Sequence, residues 1–213
     1  MQLTKNFSEH AKEISLRLNE PKWLLDYRLK NVELMNVLQP EKSVYTDMKR
    51  LEEIMQTASG KQGKAKIVIN GNAVPSKISD KAVEEKARAS LEKEVPGNLF
   101  EAFNNAFFTE GFFVDVKKSA AIDLEASGNV FVKGILYAGN GTETEINEKI
   151  SGNAEGLFYS SSFVVGENSE LTATSMQNLS GETLFVQNRS NYLGRYSKIN
   201  SGFAWLGGKQ TRG

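Results

Sequence analysis

The sequence of 213 residues contains no cysteine. It can therefore form neither a disulfide framework nor a thiolate site for zinc, iron or a cluster. It also contains a single histidine, His10, which we expect to face solvent on a helix. A metal site would have to consist almost entirely of carboxylates, and a Ser-His-Asp triad would have to use the first helix. The sequence therefore predicts no metal site, no catalytic residue and no enzymatic activity.

Two further absences concern location and partners. There is no long apolar run, and residues 1–6 lack the apolar core of a secretory signal. Lys+Arg and Asp+Glu are equal at 26 each, so no excess of either charge favours nucleic acid or an anionic membrane. We expect a cytoplasmic protein without a membrane span and without a nucleic-acid partner.

The first half of the chain has helical patterning. Apolar residues recur at helical spacing before and after Pro21, which suits the first turn of a second helix, and a short third helix is indicated around Met55. A polar stretch over 57–64 has the composition of a flexible connection. We assign 1–60 to an N-terminal helical region and 61–111 to a connecting strand and helices.

The second half, 112–213, is typical of β structure. Short apolar segments alternate with glycine-containing turns, and no further helix is needed. The fold class is therefore α+β, with helices followed by short strands. From pattern alone, a sandwich, a barrel or a β-helix would fit this half.

Two side-chain clusters could suggest a site and are assigned to structure instead. The acidic residues Glu143, Glu145 and Glu148 follow a glycine-rich turn but lack calcium-loop spacing, so we expect a solvated hairpin tip. Six phenylalanines at helical spacing predict a joint that holds a helix against the β layer. They are Phe100, Phe103, Phe107, Phe108, Phe112 and Phe113.

Three segments resemble elements of the SufB/SufD family of iron–sulfur cluster assembly proteins. Residues 20–30, EPKWLLDYRLK, resemble the family's E-P-x-W-(L/M)-x-x-x-R-L element. Within it, Arg28 is expected to donate hydrogen bonds to a carboxylate or to a carbonyl oxygen. Residues 100–114 are similar to the A-L-N-x-A-x-F-x-D-G-x-F-(I/V) element that introduces the β-helix. Residues 162–172 resemble the strand–turn–strand pattern of early coils.

The resemblance implies a helical region followed by a right-handed β-helix, a solenoid of short strands that is incomplete relative to the family. It implies a non-catalytic scaffold or accessory subunit in iron–sulfur cluster assembly. Gln177 and Arg189 are the candidate binding residues, because family members place polar side chains at such positions in the solenoid interior. The chain alone is expected to bind no cofactor, and an iron–sulfur cluster would be bound only together with a partner.

The implied partners are a SufC-like ABC ATPase and a SufB/SufD-like paralogue, and we expect self-association or pairing through the β edge beyond Tyr196. The main alternative is a stand-alone β-solenoid adaptor without a cluster role, which the absence of cysteine favours. A third possibility, an enzyme acting on carbohydrate or another small molecule, would need carboxylates converging in a groove.

Overall fold

A computed structural model describes residues 4–38, 49, 53–55 and 63–212. Four helices lie in the first half of the described chain: α1 (Thr4–Arg17), α2 (Lys22–Leu34), α3 (Glu84–Glu92) and α4 (Leu99–Phe107). Residues 53–55 are also helical, whereas most of the predicted third helix and of the flexible connection lies outside the described residues. Among the described residues, no helix is long and apolar enough to cross a bilayer.

The rest of the described chain is mostly sheet. Its strands are β1 (Lys64–Lys77), β2 (Glu110–Ala138), β3 (Glu143–Val165), β4 (Glu170–Leu179), β5 (Leu184–Leu193), β6 (Lys198–Trp205) and β7 (Gln210–Arg212). Strands β2 and β3 have 29 and 23 residues, so they are longer than the short strands that the sequence predicted. Residues 143–152 form a strand and not the predicted hairpin tip.

Strands β2 to β7 form a β-solenoid of about three turns. Each long strand bends at its middle and contributes to two faces. Face A contains 119–128, 143–152, β4 and β6, and face B contains 129–138, 156–165, β5 and β7, all in parallel register. Equivalent residues in successive coils are 26 to 28 positions apart, as for Ser119 and Glu145, Glu143 and Glu170, or Glu170 and Lys198. We number the coils 1 to 4, beginning with 119–138.

The bend in β3 depends on Gly152. Its φ angle is +126°, and a Cβ atom there would lie 2.1 Å from the carbonyl oxygen of Ala126 in the previous coil. Only glycine adopts that backbone conformation without strain. The strand can therefore continue from face A to face B while its hydrogen bonds to coil 1 are kept on both sides of the bend.

The interior of the solenoid is an apolar core formed by alternate residues of both faces. Strand alternation directs every second side chain inwards, and the inward residues of coils 1 and 2 are mostly aliphatic or aromatic. This core includes Ile122, Leu124, Val132, Ile146, Ile150, Leu157, Phe163 and Phe185. Polar residues replace apolar ones at inward positions from coil 2 onwards, and that change creates the candidate site.

A second core joins the helices to the outer side of face B. The Phe103 ring lies 4.7 Å from that of Phe107 and 5.6 Å from that of Phe131, and Phe158 completes the contact. The predicted aromatic joint is therefore present. Phe112 is the exception among the six phenylalanines, because it belongs to the interior core and its ring packs over Gly134.

Strand β1 pairs antiparallel with β2 and forms one edge of the sheet. It contains Pro75 and a register shift between Gly71 and Ala73. Its lysines Lys64 and Lys66 are exposed. Proline, bulges and lysines are features that hinder further strand pairing at an edge. At the opposite edge of face A lies β6.

Candidate functional site

The candidate site is a cluster of polar side chains inside coils 2 and 3 of the solenoid. In register, Glu148 pairs with Ser175, Tyr159 with Gln187, and Ser161 with Arg189. The side chains of Arg189 and Glu148 are 8% and 2% exposed, although both residues are charged types that rarely lie inside a core. Each of these two buried charges therefore needs an oppositely charged partner to offset the loss of its hydration.

Arg189 and Glu148 form a buried ion pair from opposite faces of the solenoid. Nη2 of Arg189 donates to Oε2 of Glu148, and Nε donates to Oγ of Ser161 at 3.2 Å. The guanidinium carbon lies 4.4 Å from the ring centroid of Phe163 and 4.8 Å from that of Phe203. Aromatic rings against a guanidinium add cation–π attraction and fix its plane.

Tyr159 completes the coordination of the Glu148 carboxylate. Its hydroxyl donates to Oε1 of Glu148 at 2.5 Å. Burial, followed by the negative charge of Glu148, raises the pKa of Tyr159 well above the ordinary value. The phenol therefore stays protonated and serves as a donor, and the cluster of Glu148, Arg189 and Tyr159 has no net charge.

The two candidate residues predicted from the resemblance both point into the solenoid interior but lie apart in the hydrogen-bond network. Gln177 is fully buried on face A, where its Nε2 donates to the carbonyl oxygen of Gly207 at 2.9 Å and its Oε1 accepts from the Gly207 N–H at 3.1 Å. Arg189 belongs to the Glu148 cluster. Gln177 therefore closes a turn, whereas Arg189 belongs to the candidate site.

Two expectations about single residues are wrong. Glu148 is buried, because it shares the inward phase of β3 with Ile146 and Ile150, while Glu143 and Glu145 are exposed as expected. The period-two pattern around Glu148 could have identified it. His10 does not face solvent: its side chain is 13% exposed, and its ring lies 5.5 Å from that of Phe107.

A second buried polar cluster lies between the helices and face B. Lys133 Nζ donates to Oε2 of Glu94 at 2.8 Å, and Tyr27 and Ser162 also donate to that carboxylate. The side chains of Lys133 and Glu94 are each 1% exposed. Since the four groups are hydrogen-bonded to one another across the boundary between the helical region and face B, this cluster holds the helices in place.

The candidate site contains donors, one paired carboxylate and no thiol or imidazole. Within the described residues, no group of three His, Cys, Asp or Glu side chains is placed to hold a metal ion. The arrangement suits hydrogen bonding to an acceptor in a neutral environment. No protein-family model matches the chain, and no curated protein matches it either.

Proposed function

We propose that this chain is a non-catalytic SufB/SufD-like scaffold or accessory subunit that acts in cytoplasmic iron–sulfur cluster assembly. The observation that carries the proposal is the contact between the two segments on which the resemblance depends. Arg28 of the first segment donates to the carbonyl oxygens of Ala106 and Phe108 in the second, at 2.9 Å each. The two segments thus form one structural unit at the start of the solenoid.

The architecture gives further support. Helices precede a β-solenoid, as the resemblance implies, and a right-handed winding belongs to the same proposal. Three inward positions of the solenoid carry polar side chains, those of Glu148, Gln177 and Arg189. Because the chain has no cysteine, its own residues do not fit a cluster as ligands. A partner that carries thiolates would hold the cluster during assembly.

The proposed partners are a SufB/SufD-like paralogue and a SufC-like ABC ATPase, with the paralogue contacting the end of the solenoid at β6. Large apolar side chains are exposed at this end, and such groups are typical of interaction surfaces. They are Leu193, Tyr196, Phe203, Trp205 and Leu206, between 46% and 90% exposed. The exposed patch agrees with pairing through the edge beyond Tyr196.

The experiment is affinity purification from the source cells with this chain as bait, followed by mass spectrometry and measurement of the bait's mass in solution. Recovery of SufB- or SufC-like proteins would support the proposal. Leu206→Lys should abolish their recovery, because it places a charge in the exposed patch. Leu16→Lys is the matched control, since Leu16 is 83% exposed on α1, and it should leave recovery unchanged.

A stand-alone β-solenoid adaptor is the second candidate, favoured by the absence of cysteine. A homo-oligomer without SufB- or SufC-like partners would support this candidate and reject the assembly role. In that case Leu206→Lys should convert the homo-oligomer to a monomer. Recovery of the assembly partners with the Leu206→Lys bait would instead show that the β6 end is not the contact surface.

A further inference from the structure

Within the described part of the chain, the Arg189 guanidinium has one nitrogen atom without a hydrogen-bond acceptor. Nε and Nη2 donate to Ser161 and Glu148, but Nη1 is buried and meets no acceptor among the described residues. Buried polar groups in native structures are nearly always paired, and an unpaired donor on a charged group is especially unfavourable. The rings of Phe163 and Phe203 fix the guanidinium plane, so Nη1 presents its N–H groups in a defined direction.

A second unpaired donor lies on the same strand and the same face. Gln187 is 4% exposed, and its Nε2 is buried and has no hydrogen-bond partner in the part of the chain that the structure describes. Since residues two apart on a strand point to the same side, Gln187 and Arg189 both direct their side chains into coil 3. The Gln177 amide in the same coil differs, because its nitrogen and its oxygen both form hydrogen bonds with the Gly207 backbone.

The charge of the cluster limits what these donors can bind. The Arg189 charge is already balanced by Glu148, and Tyr159 is neutral because burial raises its pKa. A carboxylate or phosphate brought to this position would add an unbalanced charge in a region of low dielectric constant. A neutral carbonyl oxygen accepts hydrogen bonds without that penalty.

We propose that coil 3 of the solenoid binds a small neutral molecule that presents a carbonyl oxygen, such as an amide, through Nη1 of Arg189 and Nε2 of Gln187. The ligand has few atoms, because the surrounding side chains of Tyr159, Ser161 and Phe163 are themselves buried. Phe203 covers the guanidinium and is 49% exposed at the β6 end, so rotation of its ring gives entry. This inference is independent of the proposed function.

The test is a titration of the ¹⁵N-labelled protein with acetamide, followed by NMR of the side-chain amides. The Gln187 amide signals should shift and saturate, with a dissociation constant in the millimolar range because so small a ligand makes few contacts. The Gln177 signals should not move, which makes that residue an internal control. Acetate at neutral pH should bind at least about tenfold more weakly, a difference of about 1.4 kcal/mol.

Gln187→Met removes one donor, keeps an apolar side chain of similar size, and identifies the Gln187 signals by their loss. It should weaken acetamide binding at least about tenfold, read from the Arg189 side-chain signals, a loss of about 1.4 kcal/mol. Asn178→Met, at an exposed position on β4, should leave binding unchanged.

Three results would overturn the inference. The first is the absence of a saturable shift with acetamide up to about 200 mM, as expected if only water occupies the site. The second is equal binding of acetate and acetamide. The third is unchanged binding by Gln187→Met. The first two need only the wild-type protein, so they stand even if the Gln187 variant fails to fold.

Discussion

Arg28 and Glu20 form a buried ion pair with two parallel hydrogen bonds, from Nε to Oε2 and from Nη2 to Oε1, each 2.7 Å long. Their side chains are 0% and 4% exposed. The same guanidinium lies 4.0 Å from the ring centroid of Phe108 and donates to the last carbonyls around the end of α4. One side chain thereby joins the start of α2 to the segment that leads into the solenoid.

Arg28→Ala should lower the free energy of unfolding by about 3–5 kcal/mol, because it leaves the Glu20 charge buried without a partner. Urea denaturation at neutral pH measures the change. Lys22→Ala is the matched control, since Lys22 and Asp26 form a pair that is 85% and 56% exposed. It should cost less than about 1 kcal/mol. Equal effects of the two substitutions would contradict this account of Arg28.

Glu94 and Lys133 should be strongly coupled in a double-mutant cycle. Lys133→Met alone should cost about 3–5 kcal/mol, since the Glu94 carboxylate then lacks its cation. Glu94→Gln added to Lys133→Met should cost less than the sum of the single changes, with a coupling energy of at least about 1 kcal/mol. Thermal or urea unfolding of the four proteins supplies the measurement.

The control cycle uses Lys86 and Asp115, whose side chains are 45% and 13% exposed and lie 2.8 Å apart. Its coupling should be below about 1 kcal/mol, because solvent screens the pair. If the Glu94–Lys133 coupling is no larger than this value, the buried cluster does not hold the helices against face B.

The protein should lose stability as the pH rises above about 10, the ordinary tyrosine pKa. Burial, and then Glu94 or Glu148, raises the pKa of Tyr27 and Tyr159, and burial raises that of Tyr192 to about 12. The folded state therefore keeps protons that the unfolded state releases. This contribution is complete below pH ~10 and is lost as the pH increases through the folded-state values, by about 1.4 kcal/mol per pH unit for each tyrosine.

Urea midpoints measured between pH 8 and pH 11 test this dependence. Tyr159→Phe and Tyr27→Phe should each reduce the slope of stability against pH by the contribution of one tyrosine. Both variants also lose a hydrogen bond at every pH, which lowers stability without changing the slope. Tyr196→Phe is the control, because that side chain is 90% exposed, and it should leave the slope unchanged. A decline that is the same in all three variants would show that buried tyrosines do not cause it.

The sequence could predict the division into helices and β structure, because helical spacing of apolar residues is clear in the first half and short apolar segments between turns are clear in the second. The aromatic joint followed from helical spacing, and the contacts of Arg28 with a carboxylate and with carbonyl oxygens were expected from the resemblance of residues 20–30 to a family element. The continuous lengths of β2 and β3 could not be predicted. Their polar outward residues and glycines at the bends resemble turns, and the strands continue only because parallel neighbours in adjacent coils supply hydrogen bonds.

The candidate site was only half predictable. Arg189 and Gln177 were expected in the interior. Glu148 was grouped with its acidic neighbours, although its alternation with Ile146 and Ile150 along the strand would have placed it inside. The partnership between Glu148 and Arg189 joins residues 41 apart from opposite faces, so no local pattern contains it. The same holds for Glu94 and Lys133, 39 residues apart.

The difference between the two edges of face A determines the symmetry of any assembly that forms along it. Strand β1 discourages pairing through Pro75 and its bulge, so two copies that join strand to strand along this face meet through β6 of each. A contact between identical edges is isologous and is related by a twofold axis. Such a contact would close after two copies, so we expect any assembly of this chain along face A to be a dimer and not a fibre.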